Sequence, residues 1–288
     1  MPLETTGITP ETRQRYSAAL EAAEEREFVP FLQELVACAF DVIRPLFLMG
    51  IDVQDKADAS PVTAADRGAE AALRERILAR YPGHGILGEE FGVQEGDRYR
   101  WILDPVDGTK AFVSNCFLFG TLIALERDDG CGYRPILGCI AHAAAGVSLI
   151  GRGTRTTLHL ADGTEREARV RASRPLAQAT VLMTSLPGSR EQGSEEPLGR
   201  IAGQAKLART WGDCFGYFSL ATGGADVMLD PVLSYWDIAA LVPVIEGAGG
   251  CISGWNGGDP LAEPSAIATT TAALHAEVLA AKSWCGAS

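Results

Sequence analysis

The sequence predicts a mixed α/β fold built as two lobes. Three observations point there. An apolar stripe at helical spacing occupies the first fifty residues. Strand-like runs separated by hairpin-type breaks follow between residues 101 and 151. Helical and strand-like segments then alternate to the end of the chain, the pattern of an α/β lobe. The 288 residues are 47% apolar, enough to bury a large core in two packed lobes.

Residues 1 to 50 read as helical. Thr9 can cap and Pro10 suits a first helical position. From Phe28 to Met49 the residues Phe31, Leu32, Leu35, Val36, Ala39, Val42 and Ile43 form one stripe, which predicts core packing. A second helix is expected after Thr63, where Asp66 stands at capping-box spacing, and Leu73 and Ile77 share a face. Strands are expected at Trp101–Leu103, Phe117–Leu125, Ile136–His142 and Val147–Gly151. The breaks at Asp128-Asp129-Gly130 and Ala144–Gly146 make them antiparallel hairpins. Further strands are expected at Val181–Ser185, Val227–Asp230 and Ala266–Thr269, with helices near 213–222, 235–247 and 273–282. Gly188 to Pro197 reads as a polar linker. The lobe boundary is placed near residue 172, giving lobes 1–171 and 172–288.

Composition excludes several classes. No apolar run approaches membrane-spanning length. The N-terminus lacks a basic cluster followed by an apolar core, so a signal peptide is not expected and a cytoplasmic location is. The seven cysteines form no CxxC pair, so reduced, mostly buried thiols are expected rather than a zinc site or a disulfide framework. The four histidines show no ligand spacing. A net charge of −12 repels nucleic acid and anionic membranes. It also opposes a phosphate-bearing ligand unless bound cations invert the local field.

The acidic residues are therefore the place to look. The segment Trp101-Ile-Leu-Asp104-Pro105-Val106-Asp107-Gly108-Thr109 runs an apolar strand into a turn forced by Pro105 and Gly108. Two carboxylates three residues apart there can converge on one point. Gly108 lets backbone approach a ligand, and carboxylates with a carbonyl suit a hard cation such as Mg²⁺. An ordinary Asx turn would use the same residues. Gly88-Glu89-Glu90 follows a strand-like approach, Asp237 opens the apolar helix Ile238 to Ile245, and the run Lys56 to Asp66 adds another carboxylate. Asp237 and Asp66 each also suit a helix first turn.

As an ordered set, G-E-E, D-P-x-D-G-T, W-D and G-G between Lys56 and Gly250 resemble the inositol monophosphatase superfamily. The resemblance implies a layered α-β-α-β-α fold with a metal site between two lobes. It implies that Glu89, Asp104 and the Val106 carbonyl hold one Mg²⁺, and that Asp104, Asp107 and Asp237 hold a second. Glu89 with water would hold a weaker third, and Asp66 would stand just behind it. Mn²⁺ could substitute. Thr109 and Glu89 would position the attacking water, and the Gly108 and Thr109 backbone would hold phosphate. The implied activity is Mg²⁺-dependent hydrolysis of a small soluble phosphate ester by in-line attack, in a homodimer. A non-catalytic binding module would show a lost ligand, and none is lost.

Within the superfamily, WILDPVDGTKAFV, FGTLIAL, GDCFGY and ALVPVIEGAGG are similar to the histidinol-phosphate phosphatases. Asp213, and Asp230 seven residues before Asp237, would face the substrate at the pocket rim, where carboxylates favour a cationic partner. Tyr235-Trp236-Asp237 is more similar to the inositol branch. Phosphatases of inositol or of sugar phosphates are the alternative.

Overall fold

A computed structural model describes residues 15–49, 54–55, 61–185 and 195–283. In chain order the first elements are α1 (Ala22–Ile43), β1 (Gln54–Asp55), β2 (Pro61–Val62), α2 (Ala64–Arg80), β3 (Gly85–Gly88), β4 (Gly92–Gln94), β5 (Tyr99–Asp107) and α3 (Thr109–Val113). Then come β6 (Gly120–Asp128), β7 (Tyr133–His142), β8 (Val147–Gly151), β9 (Thr156–His159), β10 (Glu165–Ala168), β11 (Thr180–Met183), α4 (Glu195–Gln204) and β12 (Leu207–Arg209). The last are α5 (Asp213–Ala221), β13 (Val227–Asp230), α6 (Tyr235–Gly247), β14 (Cys251–Ser253), β15 (Ala266–Thr269) and α7 (Ala272–Ser283).

Two sheets organise these elements. The larger has eight strands in the order β10-β9-β8-β7-β6-β5-β3-β4, and the smaller has five, β12-β11-β13-β15-β14. Strand alternation shows how the layers stack. On β5, Trp101 and Leu103 face a core shared with α1 and α2, while Ile102 faces a second core with α5 and α6. On β11 and β13, Leu182 and Met228 join that second core, and Val181, Met183, Val227 and Leu229 face a third with α4 and α7. The result is the layered α-β-α-β-α arrangement. Helix α6 lies between the two sheets, so Ile238 through Glu246 are all buried, and the helix is apolar around its whole circumference.

Several local expectations are corrected. Helix α1 begins at Ala22, and residues 15–21 before it are not helical; Thr9 and Pro10, the expected start, lie outside the described residues. Before it, the N–H groups of Tyr16 and Ser17 donate to the buried carboxylate of Glu246, at 2.6 and 3.3 Å. A partner 230 residues away leaves no local periodicity to read. Strand β5 continues through Asp107 instead of turning at Pro105. A bulge between Asp104 and Asp107 accommodates the proline, and its carbonyl accepts the Thr121 hydroxyl at 2.8 Å. Helix α4 begins inside the predicted linker, whose residues 188–194 lie outside the description. Strands β9 and β10 are half-exposed and polar, with no alternation for a pattern to catch. Lys56 to Ser60 also lie outside the described residues.

The six described cysteines are free thiols, three of them buried. No helix among the described residues is long and apolar enough to cross a membrane. The histidines serve the packing: His84 Nδ1 accepts the Trp101 indole N–H at 3.1 Å, and the His142 Nδ1–H donates to the Phe119 carbonyl at 2.7 Å.

His275 on α7 is buried between Ser253 Oγ, 2.8 Å from Nε2, and Thr269 Oγ1, 3.1 Å from Nδ1. Burial draws its pKa down to about 4. The unfolded chain, with the ordinary value of about 6.5, binds the proton more readily between these limits. Stability present above pH 6.5 is therefore lost as pH falls toward 4, at up to about 1.4 kcal/mol per pH unit. Urea unfolding of wild type and His275→Gln at pH 7 and 5 should show a shallower loss in the variant. An equal loss in both would contradict this assignment.

Candidate metal centre and cleft

Three segments deliver the acidic side chains to one place. The bulge of β5 turns Asp104 and Asp107 toward the same side. The first turn of α6 supplies Asp237, fixed by a capping box in which its Oδ2 accepts the Ser234 N–H at 2.8 Å. Carboxylate oxygens of Asp104, Asp107 and Asp237 lie within 4.8 Å of one another. Each carboxylate has one oxygen engaged by a backbone N–H. Val106 donates to Asp104 Oδ1 at 3.1 Å, Cys214 donates to Asp107 Oδ2, and Ser234 donates to Asp237.

The electrostatics of this cluster test whether it suits a cation. Burial pushes the Asp104 carboxyl well above its usual range, and the charges of Glu89, Asp107 and Asp237 push it further. Asp107 and Asp237 are raised in the same way, by burial first and then by neighbouring carboxylates. Like charges this close, away from water, oppose ionisation unless a counter-charge sits among them. The donors are all hard oxygens, the set that Mg²⁺ and Mn²⁺ accept. The residues fit a divalent cation.

Glu89 follows β3. Its N–H donates to the Leu103 carbonyl at 3.2 Å, and its side chain hydrogen-bonds Asp104. Behind it stands a residue that the sequence reading passed over. Glu70 on α2 has no exposure, and its carboxylate accepts the N–H groups of Glu90 at 2.7 Å and Phe91 at 3.2 Å, with Arg74 Nε at 2.7 Å. A Cβ at position 88 would lie 2.0 Å from Glu70 Oε1, so the turn after β3 needs Gly88. Glu70 thus braces the loop that presents Glu89. Its only sequence signal was an acid four residues after Asp66.

Asp66 caps α2 and also contacts Thr109. Its Oδ2 accepts the Thr63 N–H at 2.8 Å, capping α2, and its Oδ1 lies 3.3 Å from the Thr109 hydroxyl. That hydroxyl is also 3.1 Å from the Val106 carbonyl. Gly108 adopts φ 80°, the left-handed conformation that glycine favours, and starts α3.

Asp213 and Asp230 line an adjoining cleft with Asp107, Tyr217, Thr184 and Asp237. Asp213 has φ 48°, left-handed for a non-glycine residue, and its N–H donates to Thr184 Oγ1 at 2.9 Å. A Cβ on Gly108 would lie 3.0 Å from Asp213 Oδ2, so Asp213 adjoins the β5–α3 turn. Asp230 is not at the rim, as the sequence reading had it. It is 1% exposed and accepts the Tyr217 hydroxyl at 2.8 Å, because β13 is a central strand whose end opens into the cleft floor. Burial raises its pKa to about 7. Tyr217 and Thr184 were missed as cleft residues, since only the fold sets them beside Asp230.

Comparisons with known proteins agree with this geometry. A sequence model of the inositol monophosphatase family matches residues 24–287. The chain is 37% identical over 256 residues to the bifunctional phosphatase IMPL2 of Arabidopsis thaliana, covering 88% of this chain and 71% of that protein. It is 33% identical over 236 residues to a histidinol-phosphatase of Chlorobaculum parvum, covering 80% and 86%. Among solved structures, an inositol monophosphatase from Zymomonas mobilis superposes with a TM-score of 0.78 at 33% identity, covering 92% of this chain and all of that one.

Proposed function

The chain belongs to the inositol monophosphatase family, and from that premise we propose that it hydrolyses the phosphate ester of a small cationic alcohol, L-histidinol phosphate, in a Mg²⁺-dependent reaction. The observation that carries the reading is the convergence of Asp104, Asp107 and Asp237 beside a cleft that holds two further carboxylates, Asp213 and Asp230.

Asp104, Asp107, Asp237, Glu89 and the Val106 carbonyl would hold two or three Mg²⁺ ions. When bound, these supply charge neutralisation and lower the pKa of a nearby water. Thr109, whose hydroxyl is held by Asp66 and the Val106 carbonyl, would position the attacking water together with Glu89. The backbone N–H groups of Gly108 and Thr109, at the start of α3, would hold the phosphate. In-line attack then needs no phosphoenzyme.

The acids of the cleft support the substrate class. An ammonium or imidazolium beside Asp213 and Asp230 favours their ionised form and is favoured by it. A neutral inositol ring would offer the buried Asp230 carboxyl no counter-charge. Relatives named histidinol-phosphatase point the same way, while the Zymomonas neighbour keeps inositol phosphate as the rival substrate.

Asp213→Asn and Asp230→Asn are each expected to lower kcat/KM for histidinol phosphate about ten- to a hundred-fold, the worth of a charge-assisted contact. Loss on a neutral phosphate ester should be small. Steady-state kinetics on both substrates provide the check. Equal losses would place these acids in the service of the metals or the fold. A wild type that prefers inositol monophosphate would overturn the substrate.

A further inference from the structure

One motif left unused by this reading is Tyr235, the first residue of α6, two positions before Asp237. Its hydroxyl hydrogen-bonds Glu126 Oε1. Glu126 lies on β6 with no exposure to water. Its other oxygen, Oε2, accepts Arg100 Nε at 2.9 Å and Nη2 at 2.7 Å. Arg100 sits directly across from Glu126 on β5, four residues before Asp104 on the same strand. Its guanidinium also lies over the Tyr133 ring, 4.3 Å from the centroid, and over that of Tyr235, 5.7 Å from the centroid.

The chain of contacts thus runs from β5, which carries Asp104 and Asp107, through Arg100 and Glu126 to the start of α6, which carries Asp237. The helix N-terminus also carries the Ser234–Asp237 cap, which lies within its own segment, and Asp237 hydrogen-bonds Asp104 on β5. A cap fixes the carboxylate relative to the helix. It does not fix the helix relative to the sheet. A buried charged pair with a third hydrogen bond does, because loss of any member leaves a desolvated polar group without its partner.

We propose that Tyr235 is a positioning residue for the metal centre: its hydrogen bond to Glu126, held by Arg100, sets the spacing between Asp237 on α6 and Asp104 and Asp107 on β5. Packing alone would be served by phenylalanine, so the hydroxyl's burial against a carboxylate with no exposure needs another purpose. The inference rests on the metal-site reading above and adds to it a residue that touches neither metal nor substrate. Groups that orient metal ligands commonly change affinity by about 10–100-fold when removed.

The test uses the full chain and Mn²⁺ as probe, with binding measured by calorimetry in wild type, Tyr235→Phe, Glu126→Gln and the double variant. Tyr235→Phe is expected to bind Mn²⁺ about tenfold more weakly and to need correspondingly more Mg²⁺ for half-maximal activity. Its melting temperature in chelator should fall by only a few degrees, the cost of one buried acceptor left unpaired. Because both changes break the same bond, the double variant should bind no more weakly than Glu126→Gln alone. Wild-type Mn²⁺ affinity in Tyr235→Phe would overturn the proposal, and so would early melting with affinity intact, or additive losses in the double variant. Failure of the wild type itself to bind Mn²⁺ would overturn the metal-site reading and this inference with it, a result distinct from equal binding in all four proteins.

Discussion

Asp104→Asn is expected to reduce kcat by at least about 10²–10³-fold while the fold survives. Asp104 sits centrally in the cluster, 2% exposed, with Glu89, Asp107 and Asp237 all acting on its carboxyl. Asparagine keeps the shape and the oxygen that accepts the Val106 N–H, so the bulge of β5 has no reason to rearrange. What disappears is one negative charge at the point where the cation ligands meet. Without metal, that charge is a liability: four carboxylates repel one another where burial already disfavours ionisation. The metal-free variant should therefore melt at or above the wild-type temperature, and added Mg²⁺ should raise its melting point less than it raises that of wild type. The pairing of lost turnover with unimpaired metal-free stability separates a ligand from a packing residue. Retention of more than about a tenth of wild-type kcat, a barrier change under about 1.4 kcal/mol, would remove Asp104 from its proposed place.

Stripping the protein with a chelator should abolish phosphate release altogether, and Mg²⁺ or Mn²⁺ should restore it. The reasoning is one of charge. With a net charge of −12, and the convergent acids beside the cleft, the bare site repels a phosphate dianion. The buried histidines and cysteines named above are engaged in packing and hydrogen bonding, so among the described residues these do not supply the charge neutralisation that phosphoryl transfer needs. Folding should report the same ion. A ligand that binds only the native state stabilises it by RT ln(1 + [L]/Kd), about 2.7 kcal/mol at a hundredfold excess over Kd. The melting temperature should therefore climb with the logarithm of Mg²⁺ concentration. Full activity in rigorously metal-free protein would sink the mechanism. Absence of Mg²⁺-dependent turnover across histidinol, inositol and sugar phosphates would instead favour a binding module.

Much of this site was legible before any fold was known, because its central signals are local. Asp104, Val106, Asp107, Gly108 and Thr109 are neighbours in sequence, and a bulged strand end followed by a left-handed glycine brings them together wherever that strand sits. Asp237 and Asp66 were legible as first-turn acids because capping is also local. The stripe of α1 and the apolar run of α6 announced themselves by composition and period.

Tertiary structure alone decided the rest, and in each case the reason is a partner far along the chain. Glu70 braces the Glu89 turn across about twenty residues, and nothing near Glu70 in sequence marks it apart from a helix-surface acid. Asp230 looked like a rim acid until β13 proved central, with Tyr217 donating to it from the cleft side. Tyr16 and Ser17 abandon the helix expected of them because Glu246, buried between two sheets, needs donors that its own helix cannot supply. Tyr235 meets Glu126 only because α6 is laid across the larger sheet. Sequence by itself determined which groups are candidates to bind a cation, since that depends on residue type and short spacing. The fold determined which of them are buried, braced and brought within reach of one another, since desolvation and long-range hydrogen bonding exist only once the layers close.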